Sequence, residues 1–397
     1  MRISSVPHAR EWAQRRLPRA VFDVVEGGAE REVTERRNRE AFDAVTWQQP
    51  VGVQAESIDT SIELLGQRLS APMLTAPCGL AGAVHPDAEP GVFSAAAALG
   101  LGAVLSTTAT RSLETVASAG AHPHAWFQCY FLGGRSGAEQ LLERAGAAGY
   151  QTLVLTLDTP MPGIRYRDAG HGLTLPMNYR LGAMARLAPQ VLRRPGWLAR
   201  VARRPSTLSM GNGLHGVPGG GLDRLFDEVP TWADLAWIRE RWSGPIVVKG
   251  LTRVADAQRA LAEGADGIII SNHGGRQLDG QPATLRVLPQ IVDEVAGRVP
   301  VLVDGGIRSG ADVARALAFG ASAVLIGRPY LYGLAIAGEA GARRVLDLLV
   351  SELTRTMQLL GTPDIEALRK VPVQFDVTSR FGIERQDDAQ VTLGGAR

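Results

Sequence analysis

Apolar runs of strand length recur along the chain, most ending in small, polar or charged residues and most followed by a stretch with helical spacing. They are MLTAPCG from Met73, AVLSTT from Ala103, AWFQCY from Ala125, TLVLTLD from Thr152, IVVKG from Ile246, GIIISN from Gly267, VLVDGG from Val301 and AVLIGR from Ala323. Continuous apolar strands alternating with helices predict a parallel sheet covered on its outside, and eight such units close into a (β/α)8 TIM barrel. A doubly wound sheet would place its glycine-rich turn after the first strand, whereas here those turns come last. Two helices read clearly: VADAQRALAEGA, stopping at Gly264, and SGADVARALAFGA, running from a Ser309 cap to Gly320.

Residues 1–376 are expected to form one barrel domain. It starts with an N-terminal helical extension around Pro18–Glu26 and a hairpin-like segment around Ile58–Leu69. Residues 377–397 read as a flexible polar tail. The uncharged stretch Pro90–Thr110 is a poor membrane span, because Gly100 and Gly102 split an Ala-rich helical half from a short buried strand. After the fourth strand comes a long connection, residues 169–222, with seven arginines (Arg180, Arg186, Arg193, Arg194, Arg200, Arg203, Arg204), no acidic residue, and interleaved Leu181, Leu187, Leu192, Trp197 and Leu198. That composition fits an arginine-rich lid or a membrane-contact segment.

Composition narrows the class. With 45% apolar and 21% charged residues the chain builds a large core, and a net charge of +2 argues against a nucleic-acid partner. Cys78 and Cys129, the only cysteines, both lie in strand-like apolar runs and read as small buried hydrophobes, so no disulfide is expected. The N-terminus lacks the apolar core expected of an export signal, and a cytoplasmic location is expected.

Residues at the C-terminal ends of barrel strands face the active site. Here they form a polar set: Ser106, Gln128, Tyr130, Thr156, Asp158, Lys249, Ser271, His273, Asp304, Arg308 and Arg328. The last two strands end in DGGIRSG and IGR, where glycines, a helix start near Ser309 and the guanidinium groups of Arg308 and Arg328 suit a phosphate. SNHGGRQLDG, Ser271–Gly280, sets His273 after a buried strand, with Arg276 across two glycines. These are a base near neutral pH and a two-point carboxylate holder. His8, His85, His122, His124, His171 and His215 read as ordinary surface residues, and no metal site is expected. Lys249, a lone charge ending an apolar strand, requires an anionic partner. The polar neighbours Ser106, Gln128 and Thr156 favour a bound heterocyclic cofactor over the competing use, a Schiff base.

With these residues the chain resembles the FMN-dependent α-hydroxy acid dehydrogenase and oxidase family, on SNHGGRQLDG, DGGIRSG and IGRPYLYG over residues 8–375. TLDTPMPGIRYRD, Thr156–Asp168, is most similar to its L-lactate and mandelate dehydrogenase branch. The resemblance implies FMN held by Pro77, Cys78, Gly79, Ser106, Gln128, Thr156, Lys249 and Ser271 around the ring. Asp304 would sit on the ribityl hydroxyls, and Gly305, Gly306, Ile307, Arg308, Gly327 and Arg328 at the phosphate. It implies His273 as the base, oriented by Asp158, with Tyr130, Arg165 and Arg276 on the substrate. The expected reaction is oxidation of an L-2-hydroxy acid to the 2-oxo acid, electrons passing to flavin N5 and then to a quinone, O2 or a carrier protein. Gly79 tilts that choice toward a dehydrogenase. The resemblance further implies a homotetramer, and raises the expectation of peripheral contact with the inner face of the cell membrane.

One position departs from the family pattern. LPRAVFDVVEGGA places Phe22 and Val24 where the family has tyrosines, the second of which contacts the substrate carboxylate. Losing that bond weakens binding by roughly 1.5–3 kcal/mol unless replaced. The alternative expectation is the same flavin chemistry on a larger peptide or secondary-metabolite substrate.

Overall fold

A computed structural model describes residues 3–119, 122–172, 181–203, 210–213 and 228–376. Eight parallel strands close into a barrel in sequential order. They are β1 (Met73–Thr75), β2 (Gly102–Ser106), β3 (Ala125–Cys129), β4 (Thr152–Thr156), β5 (Ile246–Leu251), β6 (Gly267–Ile270), β7 (Val301–Val303) and β8 (Ala323–Ile326). Each matches an apolar run of the sequence to within one residue, and β8 pairs back onto β1 through Ile326 and Thr75. This is the (β/α)8 TIM barrel.

The alternation of side chains along a strand sorts each run into two cores. Leu74, Val104, Trp126, Val154, Val247, Ile269, Leu302 and Leu325, one from each strand, fill the barrel interior. Their strand neighbours pack outward against the helices. An antiparallel hairpin, Ile62–Leu64 with Gln67–Leu69, closes the N-terminal end of the barrel. Leu64 and Leu69 join the interior core, and Gln67 accepts a 3.1 Å bond from the Trp126 indole N–H.

The N-terminal extension is larger than the sequence pattern predicts. It holds three helices: α1 (Val6–Arg16), α2 (Arg19–Glu26) and α3 (Val33–Asp43). α1 buries only Val6, Ala9 and Ala13, too narrow a stripe to stand out among its charged neighbours. Strand Val45–Trp47 pairs with Val373–Phe375, joining the extension to the end of the barrel domain. The helix after β7 is capped reciprocally by Ser309 and Asp312. The helix after β8, Arg328–Leu360, is interrupted at Ala337 and Gly338.

Most of the described part of the connection is helical, with helices Leu181–Leu192 and Pro195–Ala202, while 210–213 form a turn. The second is anchored by buried Trp197, whose indole donates to the Ala83 carbonyl at 2.8 Å. Arg180, Arg204, His215 and the tail 377–397 lie outside the described residues. Among the described residues no helix is long and apolar enough to cross a membrane.

Two histidine expectations are corrected. His122 is buried against Phe93, and burial, with His124 beside it, lowers its pKa to about 4. His171 is largely buried on Asp23, 2.7 Å away. His122 and His124 do have His-x-His spacing, yet among the described residues no group of three ligands could hold a metal.

The interior layer generates a prediction. Trp126→Ala should cost roughly 3–5 kcal/mol in reversible chemical denaturation, because it empties the barrel centre and orphans Gln67. A loss below about 1 kcal/mol would show that the centre is not packed in this way.

Candidate active site

Two residues beyond each interior apolar residue, the same inward alternation reaches the barrel mouth. It presents Ala76, Ser106, Gln128, Thr156, Lys249, Ser271, Asp304 and Gly327. Seven of these are candidates from the sequence reading, gathered from seven different strands. Register places Ser106 beside Gln128 and Thr156 beside Lys249. Lys249 Nζ donates to Ser271 Oγ at 2.8 Å and pairs with Asp304 at 3.2 Å. Burial alone would lower the pKa of this ammonium, but Asp304, Asp158 and Tyr130 outweigh it and hold it at about 12. A lysine paired with Asp304 and donating to Ser271 is committed to these partners, which favours a charge-holding role over a Schiff base. Gln128 Nε2, Thr156 Oγ1 and Asp304 Oδ1 are buried without a hydrogen-bond partner among the described residues. Three orphaned groups beside a buried cation fit a polar heterocycle and its polyol chain, because buried polar atoms otherwise find partners.

A further step out, the strand ends carry Tyr130, Asp158 and His273. His273 Nδ1 lies 3.1 Å from Asp158 Oδ1, and its Nε2 lies 3.5 Å from the Tyr130 hydroxyl. Burial would raise the Asp158 carboxyl, yet His273 and Lys249 hold its pKa near 2, so it stays ionised at neutral pH. Burial next to Asp158 pushes Tyr130 up to about 12, leaving a neutral hydroxyl. His273 has a left-handed backbone (φ 58), unusual for a side-chain-bearing residue. The bond from its N–H to Ser271 Oγ at 3.0 Å supports that turn. Gly275, also left-handed, is required: a Cβ there would come within 2.5 Å of the Glu35 backbone nitrogen.

The N-terminal helices hold this loop. Asn38 on α3 and Asn272 exchange two amide hydrogen bonds, at 2.8 and 2.9 Å, in full burial. The Asp279 carboxylate accepts from the first-turn N–H groups of Val33 and Thr34, so the His273 loop caps α3 from outside the helix. The last carbonyls of α2 face two guanidinium groups. Arg276 donates to Val24 O (2.9 Å) and Gly27 O (2.7 Å), and Arg328 to Val25 O, Gly27 O and Gly274 O. Arg276 is thereby fixed but not neutralised: burial, then Arg165 and Arg328, lower its pKa to about 9. Such a group favours an incoming carboxylate. Arg165 is held 2.6 Å from Asp168.

The remaining candidates fall around the same mouth. Pro77, Cys78 and Gly79 form the loop after β1, and a Cβ on Gly79 would meet Thr108 Oγ1 at 2.2 Å, so its smallness has a steric cause here. Gly305, Gly306, Ile307 and Arg308 follow β7, with Arg308 3.4 Å from Glu35. A Cβ on Gly327 would make ordinary contact with Cys78 Sγ at 3.7 Å. Phe22 is buried and stacked against Tyr332. Among residues the sequence reading missed, Asn212 in the connection reaches back to the Ser106 and Thr107 carbonyls and to the Leu113 N–H. Its only local signal is the turn-like MGNG. Asn38, Asn272 and Asp279 carried no signal of their pairing.

A family model for FMN-dependent dehydrogenase matches residues 13–374. L-lactate dehydrogenase of Caulobacter vibrioides is 42% identical over 379 residues, covering 93% of this chain and 97% of that protein. L-lactate dehydrogenase of Xanthomonas euvesicatoria pv. vesicatoria is 42% identical over 395 residues, covering 98% and 99%. The crystal structure of a monotopic membrane protein, (S)-mandelate dehydrogenase, superposes with a TM-score of 0.87 at 36% identity, covering 94% of this chain and all of that one (100%). A mandelate oxidase structure gives 0.81 at 34%, covering 94% and 99%.

The clamp on the His273 loop is testable through stability. Asp279→Ala should cost about 1 kcal/mol, the usual worth of a helix cap. Its N–H bonds hold the Asp279 pKa below the ordinary carboxylate value against the opposing effect of burial. The contribution is therefore full above the unfolded carboxylate range and lost as pH falls through the lowered folded value. Denaturation of both proteins at neutral pH and near pH 3 should show the gap closing at acid pH; a gap unchanged with pH would exclude the carboxylate cap.

Proposed function

The chain belongs to the FMN-dependent dehydrogenase family, and on that premise we propose that it oxidises an L-2-hydroxy acid of the lactate or mandelate type to the 2-oxo acid, with His273 as the base. The observation that carries this reading is the Tyr130, Asp158 and His273 group standing over the polar layer, with partly buried Arg276 alongside.

FMN supplies the two-electron acceptor when bound. Ser106, Gln128, Thr156, Lys249 and Ser271, with the Pro77–Gly79 loop, would hold its ring. Asp304 would take the ribityl hydroxyls, and Gly305–Arg308, Gly327 and Arg328 the phosphate. Three guanidinium nitrogens of Arg328 donate to carbonyls, and five N–H groups leave two for an anion. On the protein side, Arg276 and Arg165 take the substrate carboxylate, and the Tyr130 hydroxyl binds the substrate oxygen. Ionised Asp158 keeps the proton on His273 Nδ1, so Nε2 is free to accept the substrate proton and Asp158 stabilises the imidazolium that results.

Val24 supports a second reading. It lies on α2, with only its carbonyl on Arg276, and a side chain smaller than tyrosine leaves room for a bulkier acid. We further propose residues 1–376 as one domain, assembly as a homotetramer, and a quinone, O2 or carrier protein as final acceptor. Peripheral contact with the inner membrane face is supported by Leu192 (69% exposed) and Leu198 (37%) beside Arg193 and Arg200.

Anaerobic titration of the FMN-loaded protein with glycolate, L-lactate, both mandelate enantiomers and longer 2-hydroxy acids tests the reaction. Bleaching near ~450 nm by one or more L-acids is expected. No bleaching by any of them would overturn the small-acid reading. Val24→Tyr should lower KM for small acids about tenfold by restoring a hydrogen bond to a charged group. Lost turnover without tighter binding would favour the bulkier substrate.

A further inference from the structure

At the corner between α1 and α2 a cavity of about 450 Å³ is lined by Arg10, Arg19, Arg167, Arg194, Gln14 and Asp23, with Phe22 as its apolar wall. Its size falls within the range of small-molecule sites. Its carboxylates are already committed. Asp23 serves His171 at 2.7 Å, Arg19 at 3.4 Å and Arg167 at 3.6 Å, while Glu26 and Glu32 behind the wall hold Arg10 and Arg167. Arg194 bonds only to peptide carbonyls, those of Leu17 and Arg193, and no carboxylate balances it among the described residues. The Arg19 side chain is 81% exposed, with most of its fork open to a ligand.

The connection that supplies Arg194 carries further positive charge. Arg200, from the same connection as Arg194, keeps a buried Nε without a partner among the described residues, and its guanidinium lies close enough to Arg16 to feel its charge. The described connection, residues 181–203, contributes no acidic side chain to offset these groups. Guanidinium groups converging from different elements on one hollow match a tetrahedral oxyanion, which can take N–H bonds on several sides at once.

We propose that this cavity binds a phosphate group, at a site separate from the barrel mouth. The phosphate belongs either to a soluble phosphoester or to a phospholipid headgroup met when the basic connection approaches a membrane. α2 forms one wall of the cavity, and its last carbonyls fix Arg276 and Arg328, so the ligand would sit on the outer side of the helix that shapes the active-site roof.

The test uses FMN-loaded protein, in which the cofactor's own phosphate site is filled. Inorganic phosphate, compared with chloride at matched ionic strength, should raise the melting temperature by about 2 °C or more at saturation. The rise should be lost in Arg19→Gln/Arg194→Gln and weakened in Arg19→Gln alone, a highly exposed position that does not brace the fold. Neither residue touches the catalytic group, so anaerobic flavin bleaching by the preferred acid should be unchanged in both variants, which separates this proposal from the reading of the active site. No rise in the unaltered protein, or an equal rise in the double variant, overturns the site. Sedimentation with phosphatidylglycerol against phosphatidylcholine vesicles identifies the source. Loss of pelleting in the double variant assigns the pocket to a headgroup; retained pelleting with a lost phosphate response assigns it to a soluble phosphoester.

Discussion

The two-residue alternation of side chains along the barrel strands is the constraint on which the rest of the molecule depends. Every inward apolar residue that fills the barrel is followed, two positions on, by a residue at the mouth. From β2 to β7 that residue is polar: Ser106, Gln128, Thr156, Lys249, Ser271 and Asp304. Stability and chemistry are thus written in the same strands, and a shift of one residue would exchange the two layers for outward-facing side chains. One further step places Tyr130, Asp158 and His273 within reach of one another.

Charge placement decides how that geometry acts. Two cations, buried Lys249 and partly buried Arg276, stand in contrasting surroundings. Lys249 is matched by Asp304 and stays firmly protonated, whereas Arg276 is gripped by peptide carbonyls and crowded by Arg165 and Arg328. The first is a fixed, balanced positive charge; the second is held by carbonyls with only part of its charge offset, as the proposed carboxylate-binding role requires. Carbonyls at the end of α2 supply this hold, so the N-terminal extension belongs to the active site as much as the barrel does.

How much of this was legible in the sequence follows from the range of each interaction. Strand runs, the polar set at their ends and the His273 motif are local, and each appears where the alternation predicts it. The Asn38–Asn272 pair, the Asp279 cap and the reach of Asn212 join residues far apart in the chain, and no local pattern marks them. The arginines at 276 and 328 stand out in local glycine-rich motifs, but the bonds they make to the α2 carbonyls depend on where that helix docks. His122 and His171 read as surface residues because their burial comes from partners, Phe93 and Asp23, that lie elsewhere in sequence. Residues 1–72 showed the same weakness: α1 buries only small residues, and its stripe carries little hydrophobic contrast.

The central claim is that His273, held by Asp158 and its left-handed turn, is the base. The most direct measurement is the anaerobic rate of flavin bleaching by a saturating L-2-hydroxy acid in His273→Ala, with FMN content checked by its visible spectrum. The account predicts a fall of roughly 10²–10⁴ with the cofactor still bound, the usual worth of a positioned base. A rate within a few-fold of the unaltered protein would contradict it.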